Sequence, residues 1–392
     1  MNLSTKVTLT SGFFLNFAGF AVFSFLAVYL SNTLGLSGWE TGTVLALLTL
    51  SSRIVPLFTG SMGDKYGYKK LMGIGLLLRG IGFVSLAFSH SFGYVSLAVL
   101  LIGIGAACYE PSALAFFSLE KNPELRKKSF LYLNLALNGG AVIGPLLGGI
   151  LLLTNPRLPF LISAAIFIAL YLVQLIILPE KENIKRNDSR SILAGVPHIL
   201  KNKRFLLFCF SMIFFWFMFA QLTVALPLHM FKISNNESLV SLVITVNALT
   251  GLIFMLVFKN MYIKSSAIFL LAAGTMTMAV SLLFISFSPN PLWLIICILG
   301  FTVGETLVLP SCDIAISEFL DDQYNAAYYG FSDLSFAAGA TLGNFTGTLL
   351  LEIYPSGSFV PWIIFSGVGF LGCFLLSRQI LLQRDDKIVS PN

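Results

Sequence analysis

The sequence predicts an all-α, polytopic membrane protein with twelve transmembrane helices in two pseudo-symmetric six-helix bundles. Three observations carry that prediction. The chain of 392 residues is 56% hydrophobic and only 11% charged, with a mean hydropathy of +0.87, whereas soluble domains carry roughly 25% charged residues. Apolar segments recur along it at the length that a bilayer demands. The second half also repeats landmarks of the first: Gly105 answers Gly304, and Pro111-Ser112 answers Pro310-Ser311, each 199 residues apart.

A span needs about 20 apolar residues. On that template the first six segments are roughly 9–31, 41–62, 71–89, 93–117, 129–153 and 159–178. The second six are roughly 204–230, 238–258, 266–287, 291–316, 325–351 and 359–381. Pro179–Lys203 is the longest polar segment. It divides the chain into an N-terminal bundle (1–178), a cytoplasmic linker (179–203) and a C-terminal bundle (204–392). The first apolar run lacks a small-residue cleavage site, so it reads as a span rather than a removable signal peptide.

Orientation follows from lysine and arginine in the short loops. With the N-terminus inside, Lys65, Lys69, Lys70, Lys121, Arg126, Lys127, Lys128 and the basic residues of the linker all fall on the cytoplasmic side. The outer side holds Arg157 and Lys232. Both termini are therefore expected in the cytoplasm and the chain in the cell membrane. The net charge of +6 is explained by this bias, without a nucleic-acid partner.

Repeats extend beyond the first match, and they bear on the whole fold. In the fifth span Gly140, Gly144 and Gly148 recur every four residues, and Gly339, Gly343 and Gly347 do so in the eleventh at the same offset of 199. Small-residue stripes let membrane helices approach closely, where lipid removes the hydrophobic drive to associate. Two stripes in register point to duplication of a six-helix unit. Halves related by an axis along the membrane normal are one transporter architecture.

The loop after the second span reads Gly60-Ser-Met-Gly-Asp64-Lys-Tyr-Gly67-Tyr-Lys69-Lys-Leu71. Its Gly60, Asp64, Gly67 and Lys69 resemble the signature loop of the major facilitator superfamily, while Tyr68 departs from it. The fifth span carries Gly140, Gly144-Pro145 and Gly148-Gly149. That run is similar to the motif of the superfamily's twelve-helix drug:proton antiporters, among them the multidrug-resistance group that includes MdtH and, more distantly, the LmrP group. Arg53, Arg79 and the Glu110-Pro111 pair fit the MdtH group; Gly304-Glu305 followed by Pro310-Ser311 is similar to the tenth helix of the LmrP group. Asp333 departs from the MdtH group, where a basic residue is expected. The resemblance implies that Asp64 latches the two halves on the cytoplasmic side. A carboxylate near a helix N-terminus is favoured by a fraction of a kcal/mol to ~2 kcal/mol, enough to bias a two-state gate. Asp333 is a second gating candidate, as an inter-half latch. Pro145 and the glycines around it supply bending and packing. The resemblance also implies export rather than uptake, by rocking of the bundles around a central site.

Ionisable groups inside spans cost several kcal/mol and usually face a cavity or a partner. Here they are Arg53, Arg79, Glu110, Glu305, Asp313 and Asp333. By helical rise, Arg53 lies on the order of 15 Å and Glu110 on the order of 12 Å above the cytoplasmic ends of their helices, at similar depth. A carboxyl in apolar surroundings holds a proton, while one beside an arginine stays ionised. Glu110 is thus the expected proton carrier and Arg53 its modulating partner, with Glu305 a second coupling candidate. The seventh span is aromatic, Phe214–Phe217 region with Phe219 and then Gln221. In the superfamily the first, fourth, seventh and tenth helices line the cavity, which implies substrate contact for Phe215, Phe219 and Gln221. Arg79 is a further candidate for that cavity, since it would suit an anionic substrate.

The expected function is proton-driven export of small organic molecules by a monomer in the lipid bilayer, without cofactor or metal. The alternatives are a dedicated exporter of one endogenous metabolite such as a carboxylate siderophore and, remotely, a non-transporting membrane sensor. An enzyme is not expected: His90, His198 and His229 are scattered, and the five cysteines lack metal-ligand spacing.

Overall fold

The computed structural model describes residues 3–56, 59, 62, 67–118, 123–178, 192–319 and 325–389. Among them every regular element is helical. The span helices are α1 (Leu3–Phe23), α2 (Gly38–Ile54), α3 (Tyr68–Phe88), α4 (Phe92–Ser118), α5 (Pro123–Leu152) and α6 (Leu158–Ile177). The second set is α7 (Lys203–Ala220), α8 (Glu237–Val257), α9 (Ala267–Ile285), α10 (Pro291–Ser317), α11 (Asn325–Ile353) and α12 (Val360–Val389). Ten of these segments, counting the extensions of α1 and α7, are long and apolar enough to cross a membrane. The other two are α2, described over 17 residues, and α5, whose apolar part is Ala136–Leu152.

Local sequence sets the helix starts. Ser37 and Glu40 form a reciprocal capping box at α2, satisfying N–H groups that the first turn leaves open. Asn202 accepts the Phe205 N–H at 3.1 Å to begin α7. Asn290 caps α10 just ahead of Pro291, whose missing N–H costs nothing at that position. Gly67, from the loop motif, enters α3 at φ 93°, a conformation that side chains with a Cβ rarely adopt.

Two breaks are not visible in the hydropathy pattern. α1 stops at Phe23 and resumes as Leu26–Val28 and a π-helical turn, Tyr29–Thr33. α7 stops at Ala220, and Ala225–Ser234 continues it after Gln221–Val224. Apolar side chains dominate around both breaks, with Ser24 in the first and Gln221 and Thr223 in the second, so mean hydropathy reads each as one span. The second span, expected over 41–62, is helical from Gly38 to Ile54, because the capping box starts it earlier.

The chain divides into two compact units: Met1–Ser189 with Asn236–Thr245, and Arg190–Asn235 with Val246–Asn392. Within the first, α5 lies on α1 with no room for side chains. A Cβ added to Gly144 would stand 2.5 Å from the Phe17 carbonyl oxygen, and one on Gly140 would stand 2.7 Å from the Phe17 nitrogen. Within the second, α11 lies on α7 in the same way: a Cβ on Gly343 would stand 2.5 Å from the Phe217 oxygen. The α3–α4 contact is also duplicated. Gly75 and Gly105 oppose each other's carbonyls, and so do Gly274 and Gly304. The outward faces are apolar, with Ile176 82%, Leu256 77% and Leu292 75% exposed, a pattern that suits lipid rather than water.

Candidate functional site

Each unit holds polar side chains within its apolar interior. In the first, Arg79 of α3 is buried, and its Nη1 lies 3.7 Å from Oε1 of Glu110 on α4. The glutamate side chain is 55% exposed and the arginine 7%, so the pair has a buried cationic side and an open acidic side. Glycines make the slot: a Cβ on Gly105 would stand 2.8 Å from Arg79 Cγ, and one on Gly19 3.6 Å from Nη2. The guanidinium carbon sits 4.8 Å from the centre of the Phe167 ring, a stacking that suits its weakly hydrated plane. Its Nε is buried without a hydrogen-bond partner. Arg79 is therefore held by shape, by a ring and by one loose acid, and is not fully satisfied.

A neutral network adjoins the pair. Gln174 of α6 donates to Ser11 Oγ at 2.9 Å and to the Tyr109 hydroxyl at 3.0 Å. Ser11 in turn donates to the Val7 carbonyl at 2.9 Å. The second unit keeps part of this: Gln379 donates to Ser211 Oγ at 2.9 Å, and Ser211 to the Leu207 carbonyl at 2.8 Å.

The second unit's acid is placed differently. Glu305 of α10 accepts a hydrogen bond from Asn247 Nδ2 at 2.5 Å, and the same nitrogen donates to Thr302 Oγ1 at 3.0 Å. Thr302 in turn donates a hydrogen bond to the Ile298 carbonyl at 2.8 Å. No basic side chain among the described residues pairs with Glu305. Met278 occupies the slot that Arg79 fills in the first unit; a Cβ on Gly304 would stand 2.7 Å from its Cγ.

The other predicted residues are placed as follows. Glu110 pairs with Arg79 rather than with Arg53, which lies half-buried in the last turn of α2. Equal depth had suggested the Arg53 pairing; α3 and α4 pack side by side through Gly75 and Gly105, which brings Arg79 nearer. Arg79 was expected in a cavity, but it is enclosed in its own unit. Phe215 is fully buried against Trp216, with ring centres 4.7 Å apart. Phe219 is half-buried beside Trp216 and Phe336. Gln221 is buried at the α7 break, donating to Phe217 and Gly343 carbonyls at 2.9 and 3.1 Å. Its Oε1 is buried without a hydrogen-bond partner. Gly140, Gly144, Pro145, Gly148 and Gly149 are all buried in α5. Lys69 lies in the first turn of α3, and Asp333 is exposed on α11. Gly60 and Asp64 lie outside the described residues.

Sequence reasoning passed over Ser11, Tyr109, Gln174, Asn247 and Thr302. The Ser–Gln bond recurs in the second half, but Ser211 and Gln379 stand 200 and 205 residues beyond Ser11 and Gln174, off the repeat register, so spacing did not announce it. Asn247 stands as a lone amide in an apolar span.

Repeated helical bundles with long apolar helices and apolar outward faces define the class: a multi-pass membrane protein. The chain belongs to the Major Facilitator Superfamily, whose family model matches residues 9–343. Two similar relatives are named "Multidrug resistance protein MdtH". That of Blochmanniella pennsylvanica is 26% identical over 357 residues, covering 90% of this chain and 87% of the relative. That of Salmonella typhimurium is 25% identical over 369 residues, covering 93% and 91%. Among solved structures, the nucleoside transporter NupG matches with a TM-score of 0.82 at 17% identity, over 97% of this chain and 99% of its own. A mutant of the peptide transporter POT matches at 0.82 and 15% identity, over 97% and 94%. At such identities these structures establish the fold alone. Family membership makes this chain a transporter rather than an enzyme.

Proposed function

We propose that the protein exports small organic molecules in exchange for protons, by alternating access, and that Glu110 is the proton carrier with Arg79 as its partner. The observation that carries this reading is the Arg79–Glu110 pair: a permanently charged, buried guanidinium facing a half-exposed carboxylate at 3.7 Å. Protonating Glu110 removes the only acid that faces Arg79 among the described residues, so loading and unloading the proton changes the cost of keeping that arginine inside. The multidrug-resistance relatives support export of organic compounds. In this reading Glu305, hydrogen-bonded by an amide rather than paired with a cation, is a second proton-exchanging acid. Phe219, with Trp216 and Phe336, offers aromatic surface for an amphipathic substrate. Asp64 and Asp333 serve the gate. The lysine and arginine bias of the loops supports a chain set in the cytoplasmic membrane with both termini inside; in this reading it works as a monomer, with bundles over residues 1–178 and 204–392.

Glu110→Gln tests the reading. In proteoliposomes with an imposed proton gradient, ethidium transport is expected to fall at least tenfold, while gradient-independent ethidium binding stays within twofold. Undiminished gradient-driven transport by the variant would sink the assignment of Glu110.

A further inference from the structure

α4 and α10 each contain an internal proline, Pro111 and Pro310. A proline in a helix has no N–H to give, so the carbonyl four residues earlier loses its partner. Those carbonyls belong to Ala107 and Thr306. Both are taken by a side-chain hydroxyl from outside the helix. Thr59 Oγ1 donates to the Ala107 oxygen at 2.6 Å, and the Tyr262 hydroxyl donates to the Thr306 oxygen at 2.7 Å. Within a membrane a freed backbone group has no water to turn to, which makes such a donor valuable.

The two donors are not copies of one another. At the repeat offset of 199, Thr59 corresponds to Phe258, and Tyr262 lies four residues further on. Yet both stand in the same connection of their halves. Thr59 immediately precedes the Gly60–Leu71 motif between α2 and α3, and Tyr262 sits in the short helix Lys259–Lys264 between α8 and α9. Burial raises the Tyr262 hydroxyl above its usual pKa, so it stays protonated and able to donate. Different side chains thus serve equivalent carbonyls from equivalent connections. In the first unit the tied carbonyl is three residues before Glu110. The next carbonyl along, that of Cys108, is held too, by Ser112 Oγ at 2.8 Å.

We propose that Thr59 and Tyr262 are positioning residues: each fastens the proline-containing stretch of α4 or α10 to its own position ahead of α3 or α9, so that the two move as one. In the first unit this ties the backbone that aims Glu110 at Arg79 to the residue that precedes the motif. In the second it does the same for the stretch that follows Glu305. The assignment rests on backbone hydrogen bonding and stands whether or not Glu110 carries a proton.

Hydrogen exchange of the full-length protein in lipid nanodiscs tests it without any transport assay. Thr59→Val, which keeps the shape and removes the donor, is expected to speed amide exchange at least fivefold both in 103–114 and in 67–72. Thr59→Ser, which keeps the donor, is expected to stay within twofold of the parent in both. Tyr262→Phe is expected to give the same coupled rise in 302–313 and 259–266 and to leave the first unit unchanged. In a Pro111→Ala background, which restores a backbone N–H to Ala107, Thr59→Val is expected to lose its effect. A rise confined to one of the two segments, no rise at all, or an undiminished effect in the Pro111→Ala background would overturn the proposal. Should Thr59→Val fail to fold, Tyr262→Phe decides the matter by the same criteria.

Discussion

The α3–α4 seam of the first unit and the α9–α10 seam of the second are the same joint carrying different chemistry. Gly75 faces Gly105 in one and Gly274 faces Gly304 in the other, at equal spacing along the chain. Into that common joint the first unit inserts Arg79 and Glu110, while the second has Met278 and Leu309 at the corresponding positions and carries its acid at Glu305 instead. The scaffold and the charge are therefore separable. Close backbone approach requires glycine on both sides, so it leaves little freedom at those sites. A side chain beside the seam has only to fit the slot, and an arginine stem and a methionine have similar reach.

That separation can be broken most sharply at the pair itself. Glu110→Leu copies the second unit on one side only and strands a buried guanidinium. Loss of one partner of a buried pair costs about 3–5 kcal/mol, and the half-exposure of Glu110 places the expected loss at the low end. The double variant Glu110→Leu with Arg79→Met copies both positions and is expected to recover most of that loss, since apolar side chains of similar volume replace buried ion pairs at little or no cost. Denaturant or thermal unfolding in detergent would measure both. Equal losses in the single and double variants would show that the two seams are not interchangeable.

A smaller effect tests the shared scaffold. Gly144→Ala and Gly343→Ala each drive a Cβ to 2.5 Å from a backbone oxygen. Both are expected to destabilise by about 1–3 kcal/mol, the cost of overpacking, and by similar amounts. Markedly unequal shifts in the same unfolding assay would mean that one seam has slack that the other lacks. Least of all, Ser11→Ala and Ser211→Ala each remove an acceptor from a buried glutamine, for an expected loss of about 1 kcal/mol apiece. Here the first should cost slightly less, because Gln174 keeps Tyr109 as a partner at 3.0 Å whereas Gln379 keeps the more distant Leu207 carbonyl at 3.4 Å.

Much of the architecture was legible because the bilayer imposes a length and the duplication imposes a register. Gly140, Gly144 and Gly148 announced through spacing alone that the fifth span packs closely on another helix, and their copies did so for the eleventh; that the partners are α1 and α7 is a finding of the structure. The site was less legible. Depth along a helix placed Arg53 and Glu110 level, but depth is one coordinate, and the lateral neighbour that α3 supplies could not be read from it. Gln221 was expected to touch substrate because the resemblance places the seventh helix on the cavity; the structure buries it at a break that hydropathy does not register, where it donates to the Phe217 and Gly343 carbonyls. Asn247 was passed over as an uncharged residue, though it is the group that holds Glu305. Thr59 and Tyr262 were invisible for a different reason. Their meaning depends on a carbonyl, and every residue has one.

The seams also set a timetable. Asn16 of α1 donates to the Leu137 carbonyl of α5 at 3.0 Å across 121 residues of sequence, and Gln221 reaches Gly343 across 122. At synthesis rates of roughly 5–20 residues per second, α1 therefore waits on the order of 6–24 s in the membrane before its glycine-faced partner emerges, and α7 waits as long for α11. Through that interval an amide side chain on each lies without its final acceptor. The earliest helix of each half is thus the one with most to gain from an insertase or chaperone that shelters polar surface until the fifth helix of the set arrives.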